Sequence, residues 1–485
     1  MSNKPRHKLK NPAVILGDQP ASAPAQVDEN APKQVLAQFK SKSDGTPYAF
    51  SVTSATTAAT IDISTSIAHD LLSKSEYASG ESQLVIEYLP LATFRVRAVT
   101  RCGATMPGHT EAVLSAHFAP RGDVVATGSG DHTVRLWDTA TGTSKAVLKA
   151  HAGWVLCVAW SPDGEWIASG GMDGKVCIWN AASAKGQAVA PSAVLKGHSD
   201  AVTSLAWEPM HLADGGYSRL ASGGRDATVR VWDVRTRRVD YVLSQHTRAI
   251  TCVKWGGEGL IYTASRDCSI KVWEAKDGKL VRTLAGHGHW VNTMAVSTEL
   301  VLRTGAYDHH QDGGSSKSKS WSKEEQVKRA KERYVSVHKG PERMVSGSDD
   351  FTMYLWTPAT AKQPVARMTG HQALVNHVQF SPSGAKIASA SFDKSIKIWD
   401  GFTGGFLFAL RGHVSAVYQV VFSADERLVM SASKDSTCKV WDMRTKKLKS
   451  DLPGHADEVY AADWSPSGER AVSAGKDRMV KVWCQ

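Results

Sequence analysis

Cysteine is scarce in this chain. Its 485 residues include 7, at 102, 157, 177, 252, 268, 438 and 484, odd in number and without a CxxC pair. That usage argues against a disulfide framework or a clustered zinc site and fits a reducing compartment. Long apolar runs are missing as well. No window approaches about 18 uninterrupted apolar residues, so no membrane helix is expected. The opening MSNKPRHKLKNP carries charge with no apolar stretch behind it, unlike a secretory signal. There is no phosphate-binding GxxxxGK[ST] loop, no GxSxG elbow and no isolated acid–base pair, which argues against an enzyme. Excess charge is modest: 58 Lys+Arg against 47 Asp+Glu leave +11, a weak preference for an anionic partner. Hydrophobic residues make up 42% of the chain, enough to bury a core, so global disorder is excluded.

Tryptophan is plentiful, with 16, and its positions repeat. Eight of them close a fixed phrase: Trp137, Trp179, Trp232, Trp273, Trp356, Trp399, Trp441 and Trp483. Six residues before each stands an aspartate: Asp131, Asp173, Asp226, Asp267, Asp350, Asp393, Asp435 and Asp477. Upstream stand His109, His151, His198, His246, His287, His371, His413 and His455. Five His-to-Asp gaps are 22 residues and one is 21; the third is 28, stretched by PMHLADGGYS, and the fifth is 63. Between His and Trp lie short alternating apolar runs such as VLSAHF and VVATGS, which read as strands joined by turns. A small antiparallel sheet cannot bury both faces alone, so neighbouring units must pack together. An active site needs one His–Asp pair. Eight of them point to a buried hydrogen-bond network in the fold.

The phrase GHxxxV, SGxxD, xVxxWD resembles the WD40 repeat, read here as GHTEAV with GSGDHTVRLWD and as GHQALV with SASFDKSIKIWD. The resemblance implies an all-β fold, an eight-bladed WD40 β-propeller over residues 93–485. The eighth unit has two residues after Trp483, so its fourth strand is expected from Thr93–Val99, which alternates cleanly, pairing beside 479–483. Within the fifth unit, 307–340 reads as an insertion. GGSSKSKS is a linker, and Ser322 with Glu325 forms a capping box that opens a short helix to about Tyr334. From 309 to 340 there are eight Lys/Arg against four Asp/Glu. The segment is either a solvated surface helix or a basic finger on RNA phosphate carried by Lys317, Lys319, Lys323, Lys328, Arg329, Lys331 and Arg333. Large side chains just after the GH pairs, namely Trp154, Trp290, Leu374, Tyr418 and Tyr460, are candidate partner anchors on one rim or packing over the channel.

Residues 1–32 read as a disordered tail. In 33–92, QVLAQFK and TPYAFSV are expected as hairpin strands and SQLVIEYLP as a last strand, in a small α+β module. Matches between the generic repeat positions then narrow the family. FRVRAVTRC at 94–102, ERMVSGSDDFTMYLW at 342–356, RMTGHQALVNHVQFSP at 367–382 and LPGHADEVYAADWSP at 452–466 resemble the Notchless family over roughly residues 33–485. That resemblance implies a shortened ubiquitin-like module at 33–92. It also implies a non-catalytic role in assembling the large ribosomal subunit, in the nucleolus and nucleus. The propeller would hold the pre-60S particle through ribosomal RNA, ribosomal proteins and neighbouring assembly factors. The module would dock on the metal-dependent adhesion site of midasin, an AAA+ ATPase. The chain would have no cofactor of its own. A Mg²⁺ would be shared with midasin, and the best match for the acidic ligand is Asp62, with Asp70 a distant second. Asp62 is one methylene shorter than the family's glutamate, and SATTAAT stands where the module's main helix is expected. The competing reading is a generic WD40 scaffold for signalling or ubiquitin-ligase substrate capture, but no F-box-like helical segment precedes the ring.

Overall fold

A computed structural model describes residues 49–54, 57–62, 95–184, 186–213, 219–309, 321–338 and 340–485. The chain separates into two units, 1–92 and 93–485. In the first, strand Ala49–Ser54 pairs antiparallel with Thr57–Asp62, and Ala49 stands opposite Asp62. The expected strand in TPYAFSV is therefore present, but its partner is TAATID. QVLAQFK, SQLVIEYLP, the tail 1–32 and Asp70 lie outside the described residues.

The second unit is a ring of eight antiparallel sheets of four strands. The first blade shows the pattern: Val113–Phe118, Val124–Ser129, Thr133–Asp138 and Thr143–Lys149, ordered from the channel outward. The second strand, VVATGS, is buried at every residue because both its faces meet a neighbouring blade. Accordingly the core is not one mass. It divides into eight clusters, one at each blade interface, such as Val113, Val125 and Trp137 of blade 1 against Ala461, Val472 and Val480 of blade 8. Blade 1 gains a fifth strand, because Gly186–Val189 of the next unit lies parallel to Thr143–Lys149 and covers its edge.

Ring closure differs from the sequence expectation in its register. The strand that completes blade 8 is Arg101–Met106, paired with Val480–Cys484 from Arg101 opposite Cys484 to Met106 opposite Val480. Residues 95–100 form no strand. Their alternation is used otherwise: Val96 and Val99 are buried in the cluster between blades 7 and 8. The true edge strand, RCGATM, buries only Met106, since its outer face meets solvent. Gly103 sits at its bulge, where a Cβ would come within 2.8 Å of Cys484 Sγ.

The fifth blade's insertion is longer than 307–340, running from 297 to 343 between strands Val291–Val296 and Met344–Ser348. Its described residues form two helices, α1 (Glu299–Thr304) and α2 (Lys323–Val337). Both halves of the expected capping box form at α2. Ser322 Oγ accepts from Glu325 N at 3.2 Å, and Ser322 N donates to Glu325 Oε2 at 3.0 Å. The short α1 was not anticipated, because an apolar run as short as Leu300, Val301 and Leu302 carries no periodicity that separates helix from strand.

After each repeat aspartate the backbone turns left-handed. Seven of these eight positions are not glycine: His132, Ala227, Cys268, Phe351, Lys394, Ser436 and Arg478 have φ between 63° and 69°. The aspartate carboxylate holds the turn by accepting the N–H two residues on, as in Ser395 N to Asp393 Oδ1 at 2.9 Å. A side chain in this region costs about 1–2 kcal/mol and glycine's added chain entropy returns about 0.5–1. Lys394→Gly is expected to stabilise the propeller by about 0.5 kcal/mol, read as a higher urea midpoint.

Candidate interaction faces of the propeller

Each repeat histidine is held between two partners, a carboxylate and a hydroxyl. In blade 1, His109 Nδ1 meets Asp131 Oδ2 at 2.8 Å and Nε2 meets Thr127 Oγ1 at 2.8 Å, while Trp137 Nε1 donates to the same hydroxyl at 2.8 Å. The hydroxyl is the member that sequence reasoning missed. It recurs four residues before every aspartate as Thr127, Ser169, Ser222, Thr263, Ser346, Ser389, Ser431 and Ser473. Seven tryptophans complete the network; only Trp179 Nε1 finds no partner. Burial holds the His109 imidazole below its ordinary pKa, so it is neutral, with Nδ1–H donating to the carboxylate and Nε2 accepting from the hydroxyl. Burial alone would raise the Asp131 carboxyl, but hydrogen bonds from His109 and Thr133 outweigh it and keep it ionised. The His–Asp pairs are thereby spent on tying two loops of each blade together.

Those loops form one rim. The residue before each repeat aspartate donates its N–H to the carbonyl three residues after the histidine, as in Met172 to Trp154 (2.8 Å), Asp349 to Trp290 (3.0 Å) and Phe392 to Leu374 (3.1 Å). All five expected anchors lie on this rim, but they do not form one patch. Trp154, 51% exposed, lies on blade 2 with exposed Met172, whose N–H donates to its carbonyl. Trp290 is half-buried under the Arg266 guanidinium, 4.5 Å from its ring. Tyr418 and Tyr460 form an aromatic strip with Phe392, at ring separations of 5.6 and 5.3 Å, and Tyr418 Oη donates to Glu458 Oε2 at 2.7 Å. Leu374 joins the strip through its backbone bond to Phe392. Phe392, Phe351, Met172 and Val414 are exposed apolar rim residues that the reading missed. The first three flank a repeat aspartate, a position as fixed as the GH pair. On the same rim Arg225, Arg248, Arg266 and Arg478 are exposed, while Lys434 pairs with Glu458 at 3.7 Å and Lys476 with Asp457 at 3.2 Å.

The opposite face carries the insertion, with α1 across the channel mouth. Arg303 pairs with Asp463 of blade 8 (Oδ1 at 2.9 Å) and donates to the Phe118 carbonyl of blade 1 at 3.3 Å. Glu299 pairs with Lys254 of blade 4. Tyr307 Oη donates to the Asp163 carbonyl of blade 2 at 3.2 Å and accepts from Arg121 Nε at 3.0 Å. Gly305, at φ +54°, passes where a Cβ would stand 2.6 Å from the Pro162 carbonyl. Behind α1 lies a cavity of about 240 Å³ lined by His117, Trp160, Trp207, Lys254, Glu299 and Arg303. Burial lowers His117 to about 4, assisted by Arg303, and lowers His377 to about 4, assisted by Lys254; Asp463 and Glu299 oppose these effects at His117, and Glu299 at His377. Because the folded values are depressed, the unfolded chain takes up protons first as pH falls. Stability is fully present above about pH 7 and is lost progressively from about 6.5 down to 4. The melting temperature is expected to be flat from pH 8 to 7 and to fall below 6.5, with a shallower fall in His377→Gln.

α2 packs across blades. Ala330 joins Met210 and Ala306 in a buried cluster, and Tyr334 stacks on His211 at 4.3 Å. The expected RNA-contact residues are consequently divided. Lys317 and Lys319 lie outside the described residues. Lys323 pairs with Glu165 at 3.2 Å, Arg329 covers the Trp321 ring at 4.2 Å, and Arg333 donates to Thr304 Oγ1 at 3.0 Å and the Gly305 carbonyl at 2.5 Å. Lys328 and Lys331 are exposed, interleaved with exposed Glu324 and Glu332. Asp62 ends the strand Thr57–Asp62.

Comparison with known proteins follows this geometry. The model of the WD domain, G-beta repeat, matches 100–138, 142–180, 190–233, 238–274, 362–400, 404–442 and 446–484, passing over the blade with the insertion. The crystal structure of the computationally designed Ika8 protein superposes with a TM-score of 0.61 at 25% identity, covering 79% of this chain and 100% of its own. Ribosome assembly protein 4 of Saccharomyces cerevisiae is 45% identical over 419 residues, 83% of this chain and 79% of its own. The Notchless protein homolog of Arabidopsis thaliana is 50% identical over 335 residues, 69% of this chain and 68% of its own. Protein Notchless of Drosophila melanogaster is 48% identical over 63% of this chain and 62% of its own. The chain belongs to the WD40 repeat proteins and, within them, to the family of Notchless and ribosome assembly protein 4.

Proposed function

We propose that the chain is a non-catalytic factor in ribosome assembly, acting on the large subunit in the nucleolus and nucleus. The observation that carries this is the 45% identity over 83% of the chain with the yeast protein named for ribosome assembly. Non-catalytic action is supported by the use of all eight repeat His–Asp pairs in the fold. In this reading the propeller grips the immature particle: the aromatic-studded rim with its exposed arginines takes protein and RNA partners, and exposed Lys328 and Lys331 of α2 add phosphate contacts. Affinity purification of the tagged chain should recover precursor RNA of the large subunit far above mature RNA. Recovery of no ribosomal RNA would refute it.

The N-terminal unit serves in this reading as the handle for midasin. In this reading any Mg²⁺ belongs to the partner's adhesion site, where this hard cation takes carboxylate oxygens. A single carboxylate at a strand end, Asp62, suits a role as one incoming oxygen ligand. Asp62→Ala is expected to leave the propeller's melting temperature unchanged and to abolish Mg²⁺-dependent capture by the midasin adhesion domain. Retained capture would remove Asp62 from the handle.

A further inference from the structure

Among the described residues the propeller contains a filled groove and an unfilled counterpart. Between blades 7 and 8 the chain's own residues 95–100 run in without regular secondary structure. Val96 and Val99 are buried there in one cluster with Leu428, Val440 and Trp464. Val96 N–H donates to Asp425 Oδ2 at 2.7 Å. The other oxygen of Asp425 is used by its own turn, accepting from Ser423 Oγ at 2.6 Å and Arg427 N at 3.2 Å.

The groove between blades 2 and 3 repeats these positions. Asp163 stands where Asp425 does, and its Oδ1 likewise accepts from Ser161 Oγ and from Glu165 N at 2.9 Å. Among the described residues nothing donates to Asp163 Oδ2, the counterpart of the atom that holds Val96. Trp166, Ile178 and Trp207 replace Leu428, Val440 and Trp464. Only these two blades place an aspartate at this turn position; the others have Arg121, Met210, Glu258, Glu299, Ser383 and Ser467. Where the valines would lie there is a cavity of about 200 Å³. Its lining includes Arg235 and Arg237, both exposed. The resident of the other groove carries Arg95 and Arg97, and such a strand would meet like charge here.

We infer that the groove between blades 2 and 3 docks an extended segment of an acidic partner protein. The segment presents two aliphatic side chains three residues apart and one backbone N–H to Asp163. Acidic neighbours meet Arg235 and Arg237, which selects against basic strands.

The test uses the full-length protein and two labelled synthetic peptides, EEVEAVEE and RRVRAVRR, read by fluorescence anisotropy. The acidic peptide is expected to bind saturably below millimolar concentration and at least about tenfold more tightly than the basic one. Arg235→Glu with Arg237→Glu, both exposed, should invert the preference. Ala193→Trp should fill the groove and remove binding, with an unchanged melting temperature showing intact folding. The inference is overturned if the acidic peptide does not bind, if the charge swap leaves the preference unchanged, or if Ala193→Trp binds normally. A dimer that Ala193→Trp dissolves would make a second copy the occupant, and would also overturn it.

Discussion

Asp393→Ala is expected to lower the unfolding free energy by about 2–4 kcal/mol, although Asp393 is a turn residue with a partly exposed side chain. Its carboxylate accepts four hydrogen bonds: from His371 Nδ1 (2.7 Å), Gln372 N (3.1 Å), Ser395 N (2.9 Å) and Ser395 Oγ (2.6 Å). Burial by itself would raise this carboxyl; the bonds from His371 and Ser395 hold it far below the ordinary range. Alanine leaves the buried His371 Nδ1–H without an acceptor and frees the left-handed turn at Lys394. The adjacent hydroxyl of Ser389, which bonds both His371 Nε2 and Trp399 Nε1, then loses its fixed orientation. Asp393→Asn should cost less, about 1–2 kcal/mol, since one amide oxygen still accepts. The depressed carboxyl contributes stability above about pH 4, lost as pH falls through its folded value. Urea denaturation at pH 7.5 decides it, and a cost below about 0.5 kcal/mol would contradict a network that holds the blades.

Arg303→Ala is expected to cost about 3 kcal/mol, the second large effect. Asp463 is buried with only 5% of its side chain exposed, against 22% for Arg303. Two backbone donors, Phe118 N at 2.8 Å and Trp464 N at 2.9 Å, still bind it. They cannot balance a full charge facing a closed channel. Asp463→Asn alone should cost less, because the amide keeps an acceptor. The double variant Arg303→Ala with Asp463→Asn should regain at least about 1 kcal/mol over the sum of the single costs. Strict additivity would show that α1 does not seal the channel through this pair.

These two sites differ in how readable they were. His, Asp and Trp recur because strand lengths fix where the two rim loops meet, so the spacing of Asp393 and Trp399 exposed the blade in the sequence. Ser389 recurs just as regularly, four residues before Asp393, but serine is too common to stand out beside tryptophan. Arg303 carried no periodic signal. It acts through Asp463, 160 residues away on another blade, and its helix interrupts a repeat that otherwise closes without it. The latch strand was misplaced for a related reason. Alternation in 93–99 marks burial, and Val96 and Val99 are buried, but in an inter-blade groove. The neighbouring edge strand Arg101–Met106 needs only Met106 inside. A similar limit hid the second groove, since Asp163 gains its meaning only when set beside Asp425 and its bound segment.

Sucrose-gradient sedimentation of cell extract at about 50 mM and then about 200 mM salt tests the central claim most directly. A propeller that grips an immature large subunit partly through Lys and Arg should co-migrate with precursor particles at the lower salt and shift towards free protein at the higher. Migration as free protein at the lower salt, with precursor particles intact in the same gradient, would contradict the account.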